Sequence, residues 1–522
     1  MIKNGAFGLS PSRRGFLKGA GAAGGAALVG GGAGFWPGLS HAAGMPKKGG
    51  VLRYCRPDAP DMLDPQATNS FSGGDYGGMV YDNLAWLDGD MQPQPQLATG
   101  WVAEKEGQEW VVMLREGVKF HSGKDFTSAD VVATVERSLD KARAGAGYNT
   151  FGPVKAIQSE GPNKVRFILE LPFGEFPVNL ADWHCRIMPA DTIDGQREAP
   201  DGTGPFKFKD FQPGSSLTLE RNPDYWDPDA ALLDGVRMVF IREAVAMQAA
   251  LRAGQVDVIT QIPIETYLAM SKSPGFKAYS ATTGSHQVLQ LMGNMEPFNN
   301  LKLRQAFKYL VDRKALVGAA LFGQGTVGND LPLPPGNFYV PADLPQYDQD
   351  LAKAKKLFEE SGFKDLALDV YVSSDRQPQP KMGLAYAEAA AKIGIKLTVR
   401  DVPYTEYAAN VARKLPLYTS NWGANPTLFA AVHKKYHSSG FYNYSGIECA
   451  PDLDAKLDAM IAEVDLEKRK AIVADVFKTV HEYSDRFVPY FKNYVGITSD
   501  KVNGFQPPPF GVVEMRGMWL SA

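Results

Sequence analysis

The chain has 522 residues, of which 22% are charged and 44% are hydrophobic, and its formal net charge is −3. A slightly acidic chain is a poor match for nucleic-acid binding, because phosphate neutralisation needs clustered Lys and Arg. The length exceeds one ordinary domain, so two or three lobes are expected. The three cysteines, Cys55, Cys185 and Cys449, allow at most one disulfide within the chain and do not indicate which pair forms it.

The N-terminal segment, residues 1–43, has the pattern of an export signal. A positive head with the twin-arginine motif S-R-R-x-F-L-K, which contains Arg13 and Arg14, precedes a weakly apolar stretch rich in Gly and Ala. We expect export to the periplasm with cleavage near Ala42 or Ala43, and no lipid anchor, because no Cys lies there. A membrane anchor is the alternative, although a spanning helix needs about 20 strongly apolar residues. Loss of the four cations of this leader, which has no acid, changes the formal net charge from −3 to −7.

Helix signals dominate the first predicted elements. Thr127 begins a helix with an S/T-x-x-D cap to Asp130, followed by an apolar stripe. Residues 301–321 are predicted to form one continuous helix. Residues 350–361 are predicted to form another, which ends at Gly362.

The following segment alternates strand and helix patterns. Residues 366–400 read as one strand–helix–strand unit, with strands near both ends and a helix over 385–393. A short strand follows at 417–419, and a long helix covers 466–483. This alternation predicts an α/β fold.

Ligands of open α/β sheets lie beyond the carboxyl ends of the strands, and two such ends are visible. The loop after Val372 contains Arg376, which can grip a carboxylate through two parallel hydrogen bonds. The loop after the 417–419 strand contains Trp422, which provides either a stacking wall for a ligand or a core anchor for a turn. A solvated surface Arg is the alternative at 376.

A metal site deserves consideration, because His433 and His437 are spaced i, i+4 and would share a helix face. No third His and no carboxylate lies close to them in sequence. We therefore favour the interpretation that the two histidines lie on a solvent-exposed surface and bind no metal. No G-x-S-x-G elbow and no Gly-rich phosphate loop is present outside the leader, which lowers the expectation of an enzyme. We predict no catalytic residue, no metal ligand and no cofactor.

Several ordered motifs resemble the family 5 periplasmic solute-binding proteins of ABC importers, which take up dipeptides, oligopeptides, nickel complexes and related solutes. The resemblance runs nearly end to end. The matching segments are Phe120–Lys124 with Thr127–Val132, Gly202–Phe206 with Leu219–Trp226, Pro297-Phe298 with Leu303–Ala306 and Asp312-Arg313, and Tyr347-Asp348 with Ala352–Leu357.

The resemblance implies an α/β, two-lobed, type II periplasmic-binding-protein fold with an extra domain, pear-shaped overall. Lobe I would be discontinuous (44–75, 202–285 and 486–522), the extra domain would be 76–201, and lobe II would be 286–485. The lobes would close over a small-molecule ligand and present it to an inner-membrane ABC permease. We expect a monomer. A metal-chelate receptor of the same family and a periplasmic hydrolase remain the alternatives.

The resemblance also implies ligand contacts. Arg376 looks like the residue with which dipeptide binders of the family hold the peptide carboxylate. Those binders hold the ammonium with an Asp in a W-x-x-D loop, and the matching residues here are Trp422, Gly423 and Asn425. An amide supplies no counter-charge, so we expect a modified peptide or another organic acid rather than a free dipeptide. The predicted ligand contacts are Arg376, Trp422, Gly423, Asn425, Phe71 and Tyr76.

Overall fold

The computed structural model describes residues 46–521 except 90 and 509, so the predicted leader and its cleavage site near Ala42 or Ala43 lie outside the described residues. The strands, in chain order, are β1 (Val51–Arg56), β2 (Ala85–Leu87), β3 (Pro93–Pro95), β4 (Ala98–Glu104), β5 (Glu109–Leu114), β6 (Val154–Ser159), β7 (Lys164–Leu169), β8 (Phe206–Gln212), β9 (Ser216–Arg221), β10 (Gly235–Phe240), β11 (Val258–Thr260), β12 (Phe276–Leu291), β13 (Gly325–Val327), β14 (Ala367–Val372), β15 (Lys396–Asp401), β16 (Leu417–Trp422), β17 (Arg486–Ser499), β18 (Val502–Asn503) and β19 (Trp519–Leu520).

Helices pack around these strands, as expected for an α/β fold. They are α1 (Phe71–Val80), α2 (Ser128–Leu139), α3 (Lys141–Ala144), α4 (Phe176–Asn179), α5 (Ala244–Arg252), α6 (Ile264–Met270), α7 (Leu301–Lys308), α8 (Arg313–Leu321), α9 (Leu351–Glu360), α10 (Gln379–Ala391), α11 (Tyr404–Glu406), α12 (Lys434–Tyr436), α13 (Leu453–Ala462) and α14 (Leu466–Tyr483). Two π-helical turns, Tyr407–Val411 and Phe429–His433, continue α11 and precede α12. Among the described residues, no helix combines the length and the apolar character that crossing a bilayer requires.

One large sheet runs through the molecule. Its strand order is β15-β14-β16-β12-β17-β11-β1-β10-β9-β8, with β13 added to β17. The two long strands β12 and β17 are antiparallel, and their pairing shifts register between Thr282 and His286. On the N-terminal side of the shift in β12, the other edge of β17 pairs with β11. On the C-terminal side, the other edge of β12 pairs with β16. These two strands therefore join the two halves of the sheet.

Each half of the sheet carries its own core. Apolar residues of β1 and β8–β10 pack with α1, and those of β12, β14 and β16 pack with α7 to α10. A separate four-stranded antiparallel sheet, β4-β5-β7-β6, buries Val112 and Phe167 in one core with Leu453 of α13 and Phe477 of α14. The extra sheet is thus packed against helices that occur late in the sequence.

Most predicted elements are present where the pattern placed them. The Thr127–Asp130 capping box begins α2, α14 spans 466–483, and β14-α10-β15 form the parallel strand–helix–strand unit. The helix of that unit starts at Gln379, six residues before the predicted 385, with a proline in its first turn where no N–H donor is needed.

The continuous helix predicted over 301–321 is wrong. The Asp312 side chain accepts a hydrogen bond from the backbone N–H of Ala315 and caps a second helix, so the chain forms α7 and α8 separately. All three cysteines are free: Cys55 and Cys185 are buried and Cys449 is half-buried.

Candidate ligand-binding site

Arg376 lies in the loop that leads from β14 to α10. The side chain is exposed, and its guanidinium carbon lies 3.8 Å from the centre of the Tyr404 ring. Within the described part of the chain, no carboxylate lies within 4.0 Å of it. Burial and the positive charge of Arg376 lower the pKa of Lys492 on β17. Arg376 is therefore a cation without a carboxylate partner among the described residues.

Trp422 is the last residue of β16 rather than a loop residue, and it lies opposite His286 on β12. Its half-buried ring contacts Tyr442 edge-on and Tyr444 at a tilt, with centroids 5.1 and 5.7 Å away. Gly423 is exposed, and a Cβ atom there would meet nothing within 4 Å. Packing therefore does not require glycine at this position.

Asn425 lines a cavity of about 470 Å³, a volume in the range of small-ligand sites. One wall is the segment Thr282–Gly284 of β12, at the register shift of the long strands. Aromatic side chains supply much of the rest, namely Trp101, Trp110, Phe338, Tyr339 and Phe510. The Asn425 amide donates to the backbone carbonyl of Gly423 at 3.2 Å. The cavity thus places Asn425 beside the register shift of β12 and β17 between Thr282 and His286, which we call the strand junction.

A series of hydrogen-bonded side chains is buried in the cavity wall, and the sequence analysis did not predict it. The Arg469 Nε donates to the Tyr339 hydroxyl at 2.8 Å, and that hydroxyl donates to Glu175 at 3.0 Å. The backbone N–H of Leu428 donates to the other Glu175 oxygen at 2.6 Å. Burial raises the pKa of Glu175, and the charge of Arg469 partly offsets this effect. An acid inside the apolar run LPFGEFPVNL was the available signal.

The predicted contacts Phe71 and Tyr76 lie on α1. Phe71 is 46% exposed and stacks on Trp183 with centroids 6.4 Å apart, whereas Tyr76 is fully buried in the core against Tyr81. Of the six predicted residues, Asn425 alone is among the described residues that line the cavity. Trp422 pairs with His286 on β12, close to the register shift, whereas Arg376 lies in the separate β14–α10 loop.

His433 and His437 stack with ring centroids 4.6 Å apart. No carboxylate is close to them in sequence, but α13 brings Asp458 to 2.9 and 3.6 Å from their Nε2 atoms. The three donor atoms lie within 4.8 Å of one another, a spacing that suits a divalent cation. However, the backbone N–H of Ser439 donates to His437 Nδ1 at 3.1 Å. That contact places the His437 proton on Nε2 and opposes coordination there.

Known proteins resemble this chain over most of its length. The oligopeptide-binding protein AppA of Bacillus subtilis is 28% identical over 430 residues, covering 76% of this chain and 77% of AppA. The glutathione-binding protein GsiB of Escherichia coli K12 is 26% identical over 374 residues, covering 70% and 73%. The structure of AgaA from A. tumefaciens R10, in complex with agropinic acid, superposes with a TM-score of 0.72 at 24% identity, covering 91% of this chain and 99% of AgaA. This last likeness shows the two-lobed fold with an extra domain.

Two sequence profiles match as well. The profile of the twin-arginine translocation signal matches residues 10–30, so the chain is directed to the periplasm. The profile described as "Bacterial extracellular solute-binding proteins, family 5 Middle" matches residues 92–443, more than half of the chain. The chain therefore belongs to the family 5 extracellular solute-binding proteins of ABC importers.

Proposed function

We propose that the chain captures a peptide-like or organic-acid solute in the cleft between its lobes and delivers it to an inner-membrane ABC permease. The observation that carries the proposal is Arg376, whose guanidinium lies over the Tyr404 ring and has no carboxylate partner among the described residues. A permanently charged guanidinium in this setting suits a ligand carboxylate. The relatives named for oligopeptides and glutathione, and the fold neighbour with bound agropinic acid, support the same ligand class.

In this proposal the hinge lies in β12 and β17, where their pairing shifts register between Thr282 and His286. The predicted domains would meet near that point. They are lobe I (44–75, 202–285 and 486–522), the extra domain (76–201) and lobe II (286–485). A solute that touches both lobes stabilises the closed state through its differential contacts. The chain acts as a monomeric receptor and returns its solute unchanged.

Asn425 narrows the proposed ligand class. An unpaired buried ammonium is costly, and an amide cannot neutralise it. A solute without a free ammonium, such as a modified peptide, an opine-like acid or another organic anion, therefore fits better than an ordinary dipeptide. Trp422 and Gly423 belong to the same proposed contact region, whereas the position of Tyr76 in the core does not support a ligand contact.

Calorimetric titration with carboxylated peptides and opine-like acids tests the proposal. Arg376→Ala should abolish measurable binding, since the variant removes the charged donor that would hold the ligand carboxylate. Arg400→Ala is the matched control, because Arg400 is exposed on neighbouring β15 and pairs with Asp369 at 3.1 Å. Binding that survives Arg376→Ala would contradict the proposal.

Substitution at the second position separates the ligand classes. Asn425→Asp should improve the binding of ordinary dipeptides such as Ala-Phe, because it restores a counter-charge for the ammonium. Tight binding of Ala-Phe by the wild-type protein would show that Asn425 does not exclude free dipeptides.

A metal-chelate receptor is the second candidate. The proximity of His433, His437 and Asp458 suggests it, whereas the Ser439 contact with His437 Nδ1 opposes it. Metal analysis of protein purified from the periplasm tests this function. Stoichiometric Ni²⁺ or Zn²⁺ that is lost from the His433→Ala/His437→Ala double variant would support it. Metal-free protein, or equal metal in both proteins, would exclude it.

A further inference from the structure

Two buried cations lie against the ring of Trp422. Lys435 of α12 is 3% exposed, and its Nζ is 5.0 Å from the ring centre. Arg486 at the start of β17 is 2% exposed, and its guanidinium carbon is 5.2 Å from the same centre. Helix and strand thus bring two basic side chains onto one aromatic side chain.

Neither side chain has a carboxylate partner among the described residues, and burial together with the charge of Arg486 lowers the pKa of Lys435 to about 7. In the part of the chain that the structure describes, no carboxylate lies within 4.0 Å of Lys435 or Arg486. The Lys435 Nζ and the Nε and Nη1 of Arg486 are buried without a hydrogen-bond partner, and only Arg486 Nη2 donates, to the carbonyl of Tyr442. The carboxylate of the adjacent Asp485 instead accepts from the backbone N–H of Gly293 at 3.2 Å. Buried charges without partners are costly, so this arrangement favours the approach of an anion.

His286 on the neighbouring strand β12 adds no positive charge of its own. Its side chain is buried, and burial and the charges of Lys435, Arg486 and Lys492 lower its pKa, which keeps the imidazole neutral. Burial and the charge of Arg376 in turn lower the pKa of Lys492. The Trp422 Nε1 is a further buried donor without a partner among the described residues.

We propose that Lys435, Arg486 and Trp422 Nε1 form a second anion subsite, so that the transported solute carries two acidic groups. Arg376 would hold one group and the new subsite the other, a carboxylate, sulfate or phosphate. The two-acid part rests on the proposed receptor function, whereas the subsite itself is a property of these three side chains. Charge-assisted hydrogen bonds from a buried guanidinium and ammonium would supply the affinity.

Titration calorimetry with sodium sulfate at constant ionic strength tests the subsite without any peptide. The wild-type protein should give a saturable isotherm. Lys435→Met and Arg486→Met should each weaken sulfate binding about tenfold or more, because each removes a charged donor. Lys434→Met is the matched control, since Lys434 is adjacent in sequence but lies 4.8 Å from the Phe429 ring instead. Arg376→Ala should retain sulfate at this subsite.

The two variants lie on different elements, so either one that folds is decisive. Absence of saturable sulfate binding in the wild type, or equal affinity in Lys435→Met, Arg486→Met and Lys434→Met, would overturn the subsite. Wild-type protein that binds sulfate but none of the carboxylated solutes would contradict the proposed receptor function while leaving the subsite intact.

A matched pair of blocked peptides tests the two-acid part. Acetyl-Ala-Asp has two carboxylates, whereas acetyl-Ala-Asn has one carboxylate and one amide. The wild-type protein should prefer the diacid by about tenfold or more, and Arg486→Met should abolish that preference. No preference in the wild type, or a preference that Arg486→Met leaves unchanged, would refute two acidic groups.

Discussion

Asp330→Asn should strongly destabilise the half of the sheet that contains β12 and β16. Both oxygens of the buried Asp330 accept from Arg313 of α8 at 2.9 Å, and the Lys308 Nζ lies 3.9 Å away. One of these oxygens also accepts from the backbone N–H of Val488 on β17 at 3.0 Å. Burial alone would raise the pKa of Asp330, but Arg313 and Lys308 hold it below its ordinary value.

The amide keeps the shape of the side chain but removes its charge. Two fully buried cations, Arg313 and Lys308, then lack a carboxylate, and breaking a buried pair in this way costs about 3–5 kcal/mol. Urea unfolding should show a lower midpoint at an unchanged slope. Asp312→Asn is the matched control, because Asn caps α8 about as well as Asp. A loss below about 1 kcal/mol for Asp330→Asn would refute the reasoning, since it falls under the cost of breaking a buried pair.

Two further predictions concern pH and the strand junction. Burial and the charges of Lys308 and Arg313 lower the pKa of His481 to about 4, so the stability that it provides above about pH 6.5 is lost as pH falls towards 4. His481→Phe keeps the stacking on Tyr347 and should reduce the acid loss of stability in that window; an unchanged urea-midpoint profile would contradict this. A Cβ at Gly284 would lie 3.0 Å from the Cβ of Ala424, so Gly284→Val should displace the Asn425 loop. Its expected result is weaker solute binding in calorimetry with little change in the urea midpoint, whereas unchanged binding would contradict a ligand role for that loop.

Local patterns predicted local structure well. The capping box at Thr127 and the strand–helix–strand unit over 366–400 depend on neighbours in sequence, and both are present. The break at Asp312 was missed because the apolar stripe continues across it. A single side chain that caps α8 decides between one helix and two.

Only those residues of the candidate site that directly follow a predicted strand could be proposed from the sequence. Arg376 and Asn425 lie beyond strand ends, as the sheet rule expects, and their roles stay predictions. The chain Glu175–Tyr339–Arg469 joins segments more than 100 residues apart, so no spacing revealed it. Asp458 reaches the two histidines in the same way, through the packing of α13.

The buried cations at Trp422 show a different limit. In sequence, Lys434 and Lys435 look like one cationic surface pair, yet only Lys435 is buried against Trp422. Burial of one member depends on the position of β17, which supplies Arg486 from a distant part of the chain. Charge patterning alone therefore could not distinguish the two lysines.

Native mass spectrometry of the protein purified from the periplasm is the most direct test of the receptor function. We expect one solute bound per chain, with at least one acidic group, and its loss from the Arg376→Ala variant. A bound solute without an acidic group, or equal retention by wild-type and Arg376→Ala proteins, would contradict capture of an organic anion at Arg376.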